Sequence, residues 1–122
     1  MNILVTGAAG FIGYHLITEL SKNKKNNIYG LDSLLLDENI IYKNKRLKIL
    51  LKNKNFFFEK IDIKNLNKLE IFFKKKSINC VVNLAALAGV RKSIIKPNDY
   101  FDTNIKGYMN ILNLSKMYNI KH

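Results

Sequence analysis

Gly7-Ala8-Ala9-Gly10-Phe11-Ile12-Gly13 constrains this chain more than any other segment. It follows directly on Asn2-Ile3-Leu4-Val5-Thr6, a compact β-rich run. It also opens a stretch in which Phe11, Ile12, Leu16, Ile17 and Leu20 recur at helical spacing. In a strand–turn–helix of this kind each glycine has a physical task. Gly7 lets the chain leave the strand through a tight turn without a Cβ clash. Gly10 lets the backbone come close to a diphosphate, whose charge is stabilised by the free N–H groups and dipole of the helix start. Gly13 lets the helix lie close on the sheet. The pattern G-x-x-G-x-x-G in this context is a dinucleotide-binding loop. A nucleoside-triphosphate loop is excluded, because no G-x-x-x-x-G-K-[ST] occurs.

The rest of the chain continues the alternation. Residues 28–32 read as a second strand, 55–60 as a third and 79–84 as a fourth, the last apolar enough to be buried on both faces. Ile40, Ile41, Leu47, Leu50 and Leu51 mark a helix between the second and third strands, with Asp37 or Asn39 as its cap. Leu66, Leu69, Phe72 and Phe73 form the stripe of another helix over 65–75, with Ile71 at its margin. Residues 97–118 make one long helical pattern with Pro97 in its first turn. Tyr100, Phe101, Ile105, Tyr108, Met109, Leu112 and Met117 supply its apolar side, expected in the core. Strands alternating with helices of this length imply parallel pairing and right-handed crossovers, a doubly wound α/β sheet.

Asp32 closes the second strand, 19 residues beyond Gly13. That is the place of the acid that hydrogen-bonds an adenosine ribose, and an acid there repels a 2′-phosphate, so the expected cofactor is NAD rather than NADP. Asp62, just after the third strand, either faces the adenine edge or caps the helix that begins at Asn65.

Composition narrows the alternatives. With 122 residues, 48% hydrophobic and 25% charged, the chain has the balance of one folded domain. No apolar run reaches the ~18 residues of a membrane span, and no basic region precedes the short apolar start, so neither a membrane protein nor a secretory signal is expected. A single cysteine, Cys80, excludes a disulfide framework, and a reduced cytoplasmic setting is the default. His15 and His122 have no ligand set around them, so no metal site is expected. The net charge of +12 invites a nucleic-acid reading, but only Arg46 and Arg91 among the 21 basic residues are arginine. Arginine is the residue of bidentate phosphate and base recognition. The lysines are spread among asparagines and isoleucines, residues that share A/T-rich codons, and read as solvated faces rather than a nucleic-acid footprint.

Taken together, Thr6 to Gly13, Asp32, Asp62-Ile63, Asn83-Leu84-Ala85-Ala86 and Tyr100-x-x-x-Asn104-x-x-Gly107 resemble the extended short-chain dehydrogenases/reductases, the NAD-dependent nucleotide-sugar epimerases and dehydratases. The stretch Ala88-Gly89-Val90-Arg91-Lys92-Ser93, followed by Pro97, is most similar to UDP-glucuronate 4-epimerases, although Asn83 stands where many relatives carry histidine. The resemblance implies a Rossmann fold with strand order 3-2-1-4. It implies that Gly7, Gly10 and Gly13 shape the loop, that Phe11 and Ile12 present amides to the diphosphate, and that Asp32 and Ser33 hold the adenosine ribose. Asp62 and Ile63 would meet the adenine, Leu84, Ala85 and Ala86 would line the path to the nicotinamide with Asn104 nearby, and Arg91 would approach a substrate phosphate or carboxylate. A UDP-sugar substrate and a homodimer are implied for the full-length protein.

The family's chemistry rests on a Tyr-x-x-x-Lys pair, the tyrosine acting as base on a sugar hydroxyl. Four residues after Tyr14, Tyr29, Tyr42, Tyr100, Tyr108 and Tyr118 stand Thr18, Ser33, Arg46, Asn104, Leu112 and His122. None is lysine. The expectation is therefore an N-terminal NAD-binding Rossmann part of a longer epimerase, spanning 1–122, inactive by itself, with an incomplete sheet that lacks later strands and the substrate region. The competing expectations are another NAD-dependent sugar-nucleotide epimerase or dehydratase, or a non-catalytic dinucleotide-binding module.

Overall fold

The computed structural model describes residues 1–37 and 39–122. Among these, four parallel strands form one sheet in the order β3-β2-β1-β4: β1 (Asn2–Thr6), β2 (Asn27–Asp32), β3 (Phe56–Lys60) and β4 (Cys80–Asn83). Ile3 pairs with Ile28 on one side and Cys80 on the other, and Tyr29 pairs with Phe57. Helices α1 (Phe11–Leu20), α2 (Ile40–Leu50) and α3 (Leu66–Lys75) connect successive strands. After β4 come α4 (Val90–Ile95), α5 (Pro97–Phe101), a π-helical turn (Asp102–Gly107) and α6 (Tyr108–Met117), the last three continuous.

The two-residue period of β1 sorts the core into two layers, because successive side chains point to opposite faces. Ile3 and Val5 pack with Ile17 of α1, Leu50 of α2, Ile28 and Phe56 on one face. Leu4 packs with Leu69, Phe72 and Phe73 of α3 and with Ile111 and Leu114 of α6 on the other. Both faces are covered, which is why the central strands read as unbroken apolar runs. Asn65 caps α3, its Oδ1 accepting from the Lys68 amide at 3.1 Å.

Two expectations change. The long C-terminal helix buries Gly107, Ile111 and Leu114, while Phe101, Ile105, Tyr108, Met109, Leu112 and Met117 are 43–65% exposed. The segment carries two apolar stripes, and α6 lies on α3 and β4 through the narrower one. The π turn adds a residue to one turn of the helix, which displaces later side chains by about 100° around its axis. Secondly, β4 is half-buried along its length, including Cys80, because it is an edge strand, as β3 is on the other side. Its outer side meets the end of the chain at one point, where the Val81 N–H donates to the His122 carbonyl at 2.8 Å. The glycine-containing stretch after β4 leads into the short helix α4. No helix among the described residues is long and apolar enough to cross a membrane.

Candidate functional site

The carboxyl ends of the strands open on a cleft of about 620 Å³. It lies where the connections part, β1 running on to β2 and β3 on one side while β4 joins from the other, the usual ligand position in an open α/β sheet. Gly7, Gly10, Asp32, Ile63, Leu84 and Ala85 are among the residues that line it.

The glycine loop has the geometry its sequence demands. Gly7 sits at φ +66°, and a Cβ there would stand 2.8 Å from the carbonyl carbon and oxygen of Leu84. A Cβ on Gly13 would collide with the Gly7 carbonyl oxygen. Gly10 is the N-cap of α1, and the first bond of the helix is Tyr14 N–H to the Gly10 carbonyl at 3.0 Å. The amides of Phe11, Ile12 and Gly13 precede that bond, and none has a backbone acceptor among the described residues. The side chains of Phe11 and Ile12 are 65% and 66% exposed, so it is their backbone, not their bulk, that serves this end of the helix. Such a cluster of N–H groups at the positive end of the helix dipole favours an anion.

Asp32 is buried, and its carboxylate is already committed to the backbone on both sides. Oδ2 accepts from the Ala9 amide at 3.1 Å and Oδ1 from the Leu34 amide at 2.9 Å. Leu34 is held at φ +49°, an uncommon conformation for a bulky side chain. Lys43 Nζ lies 3.8 Å from Oδ1. Asp32 thus fixes the glycine loop and the chain leaving β2 as well as presenting a carboxylate to the cleft. Ser33 lines the same wall.

Thr6, buried at the end of β1, joins the two loops above the switch point. Its hydroxyl donates to Asn83 Oδ1 at 2.6 Å and accepts from the amides of Leu84 and Ala85, each at 3.1 Å. One donor and two acceptor positions exhaust what a hydroxyl can do. Asn83 is therefore part of the scaffold.

On the β3 side, Asp62 Oδ1 accepts from the Lys64 amide at 2.9 Å, while Asn65 holds the cap of α3. Of the two expectations for Asp62, the cap is taken by its neighbour, and Asp62 and Ile63 both line the cleft. Across the cleft, Leu84, Ala85 and Ala86 form the wall after β4. Asn104 lies behind that wall with both amide functions spent on Leu87: Oδ1 accepts from its N–H at 2.8 Å and Nδ2 donates to its carbonyl at 2.9 Å. Arg91 is exposed on α4 and is not among the residues lining the cleft, whereas Lys92 is. His15 meets the rings of Phe11 and Tyr14 edge-on, at 4.7 and 5.0 Å between centroids.

Sequence reasoning left Thr6, Lys43 and Arg46 out of the site. Arg46 Nη1 donates to the Ala9 carbonyl at 3.3 Å, with its guanidinium 5.7 Å from the centre of the Phe11 ring. The signals were present: Thr6 abuts the first glycine, and Arg46 is one of only two arginines.

Residues 3–122 match the model of a family described as the NAD dependent epimerase/dehydratase family. The protein CapI of Staphylococcus aureus is 44% identical over 122 residues, which is 100% of this chain and 36% of CapI. A UDP-glucuronate 4-epimerase of Thermodesulfobacterium geofontis is 43% identical over 118 residues, 97% of this chain and 36% of that protein. A UDP-glucuronic acid 4-epimerase of Bacillus cereus, solved with UDP-glucuronic acid and NAD, superposes with a TM-score of 0.79 at 37% identity, over 95% of this chain and 36% of that one. The chain thus spans about a third of the length of these relatives. With a matching Rossmann-type sheet and a family match along nearly its whole length, the chain belongs to the NAD dependent epimerase/dehydratase family.

Proposed function

We propose that this chain is the NAD-binding part of a nucleotide-sugar epimerase of the UDP-glucuronate 4-epimerase type. One observation carries the reading: Gly7 and Gly10 of the loop that leads into α1, the Asp32 carboxylate and the wall after β4 line a single cleft, and the amides of Phe11, Ile12 and Gly13, which are not themselves among its lining, follow directly on Gly10. Phe11 and Ile12 would hold the diphosphate through their N–H groups, on a loop shaped by Gly7, Gly10 and Gly13. Asp32 and Ser33 would hold the adenosine ribose, and Asp62 and Ile63 would bound the adenine. Leu84, Ala85 and Ala86 would line the nicotinamide end, backed by Asn104. Bound NAD would supply a hydride acceptor and donor. The chain's own contribution is to grip the diphosphate, orient the two halves of the dinucleotide and keep the Thr6 junction rigid between them.

No tyrosine here has a lysine four residues on, so the general base of the reaction is not in this chain. The isolated chain is expected to bind NAD without converting UDP-glucuronate, the sugar being held by the remaining part of a longer protein.

Calorimetric titration with NAD and NADP tests the reading. NAD is expected to bind at least about tenfold more tightly, a difference of 1.4 kcal/mol, because Asp32 faces the 2′ position with a negative charge. Equal affinities, or no binding of either, would refute it. The absent Tyr-x-x-x-Lys favours a second reading, a non-catalytic dinucleotide-binding module. A Tyr-x-x-x-Lys encoded beyond His122 would decide for the epimerase.

A further inference from the structure

One helical segment touches both walls of the cleft. On the β4 side, the Tyr100 hydroxyl lies 2.7 Å from the carbonyl oxygen of Ala88 and 3.0 Å from that of Gly89, donating its one proton between them. Asn104 pairs with both backbone groups of Leu87, as a neighbouring strand would. On the β3 side, a Cβ on Gly107 would come 2.7 Å from Cγ1 of Ile63, and Asn110 Nδ2 donates to the Ile63 carbonyl at 2.9 Å. Tyr100 precedes the π turn of Asp102–Gly107 and Asn104 lies in its first half, whereas Gly107 closes it and Asn110 follows it. In an unbroken α-helix, residues 100, 104 and 107 would share one face. The extra residue of the π turn swings the later pair by about 100°, so that one helix can address two walls.

The strand order says which half of a dinucleotide each wall meets. With the diphosphate at the start of α1, above β1, and the ribose at Asp32 on β2, the adenosine half extends toward β2 and β3. The other half must then lie over the loop after β4. We propose that Tyr100 and Asn104 are positioning residues for the nicotinamide-side wall, Leu84–Gly89, and that Gly107 and Asn110 position the adenine-side wall at Ile63. The π-turned helix is then the spacer that sets the distance between the two. This proposal rests on the reading of the cleft as an NAD site.

The test compares NAD with ADP, which lacks the nicotinamide half, by calorimetric titration of the whole 122-residue chain. Tyr100→Phe removes a single hydroxyl and Asn104→Leu removes both bonds to Leu87. Each is expected to weaken NAD about three- to tenfold while leaving ADP within about twofold of the parent, the size of lost neutral hydrogen bonds. Gly107→Ala, which displaces Ile63, is expected to weaken both ligands together. If Asn104→Leu does not fold, Tyr100→Phe keeps the test open, since it leaves the ring and its packing in place. Parallel losses of NAD and ADP in Tyr100→Phe, no loss of either, or equal affinity of the parent chain for the two ligands would overturn the proposal. A parent chain that binds neither ligand overturns the NAD reading beneath it instead.

Discussion

Replacing Thr6 by valine keeps the shape of the side chain and removes its hydroxyl. In the native structure that hydroxyl satisfies Asn83 Oδ1 and the amides of Leu84 and Ala85 at 2.6, 3.1 and 3.1 Å. Valine leaves all three groups without this partner at the partly buried base of the cleft. An unsatisfied polar group costs about 1–3 kcal/mol, and partial burial favours the low end, so the loss is about 3 kcal/mol. Thr6→Ser keeps the hydroxyl and removes one buried methyl, a cost of about 1 kcal/mol. For a chain of 122 residues the unfolding entropy makes each kcal/mol worth about 4 °C in Tm. Thermal unfolding followed by circular dichroism should therefore show a fall of about 12 °C for valine and about 4 °C for serine. A valine variant melting at or above the serine variant would refute the claim that this hydroxyl joins the two loops.

Gly7→Ala forces a Cβ onto a φ of +66° and against the Leu84 backbone, and should cost about 3 kcal/mol, read as a drop of about 12 °C in Tm. Leu114→Ala, at a site 1% exposed, should cost about 2–5 kcal/mol, whereas Leu112→Ala, at a site 43% exposed, should cost less than about 1 kcal/mol. Denaturant unfolding of that pair checks which stripe of α6 faces the core. Asp32→Asn removes the charge that opposes a 2′-phosphate and leaves Lys43 beside it, so the preference for NAD over NADP should shrink to within about threefold. Calorimetry with both dinucleotides reads that ratio directly.

The sheet was legible because its first strand is an almost wholly buried apolar run and its first turn is dictated by glycine. Asn2–Thr6, the loop to Gly13 and Asp32 lie where local spacing puts them. The C-terminal helix was legible as a helix but not in phase, because Phe101, Ile105, Tyr108 and Leu112 compete with Gly107, Ile111 and Leu114 for the same periodic argument. Hydrophobicity alone favours the longer stripe; the π turn and the close approach of Gly107 to Ile63 select the shorter one. The second roles of the site residues were hidden for a different reason. The spacing of Asp32 from Gly13 points to a ribose, but its bonds to Ala9 and Leu34 are made across the fold, as are those of Thr6 and Arg46. Contacts of that kind have no period and leave only the residue type as a trace.

The most direct measurement follows backbone amide resonances while NAD is added. The account predicts saturable shifts, with one common dissociation constant, at Gly10, Phe11 and Ile12 and at Ser33 and Leu34 beside Asp32. Shifts confined to residues away from the start of the first helix, or none at millimolar NAD in a folded chain, would contradict it.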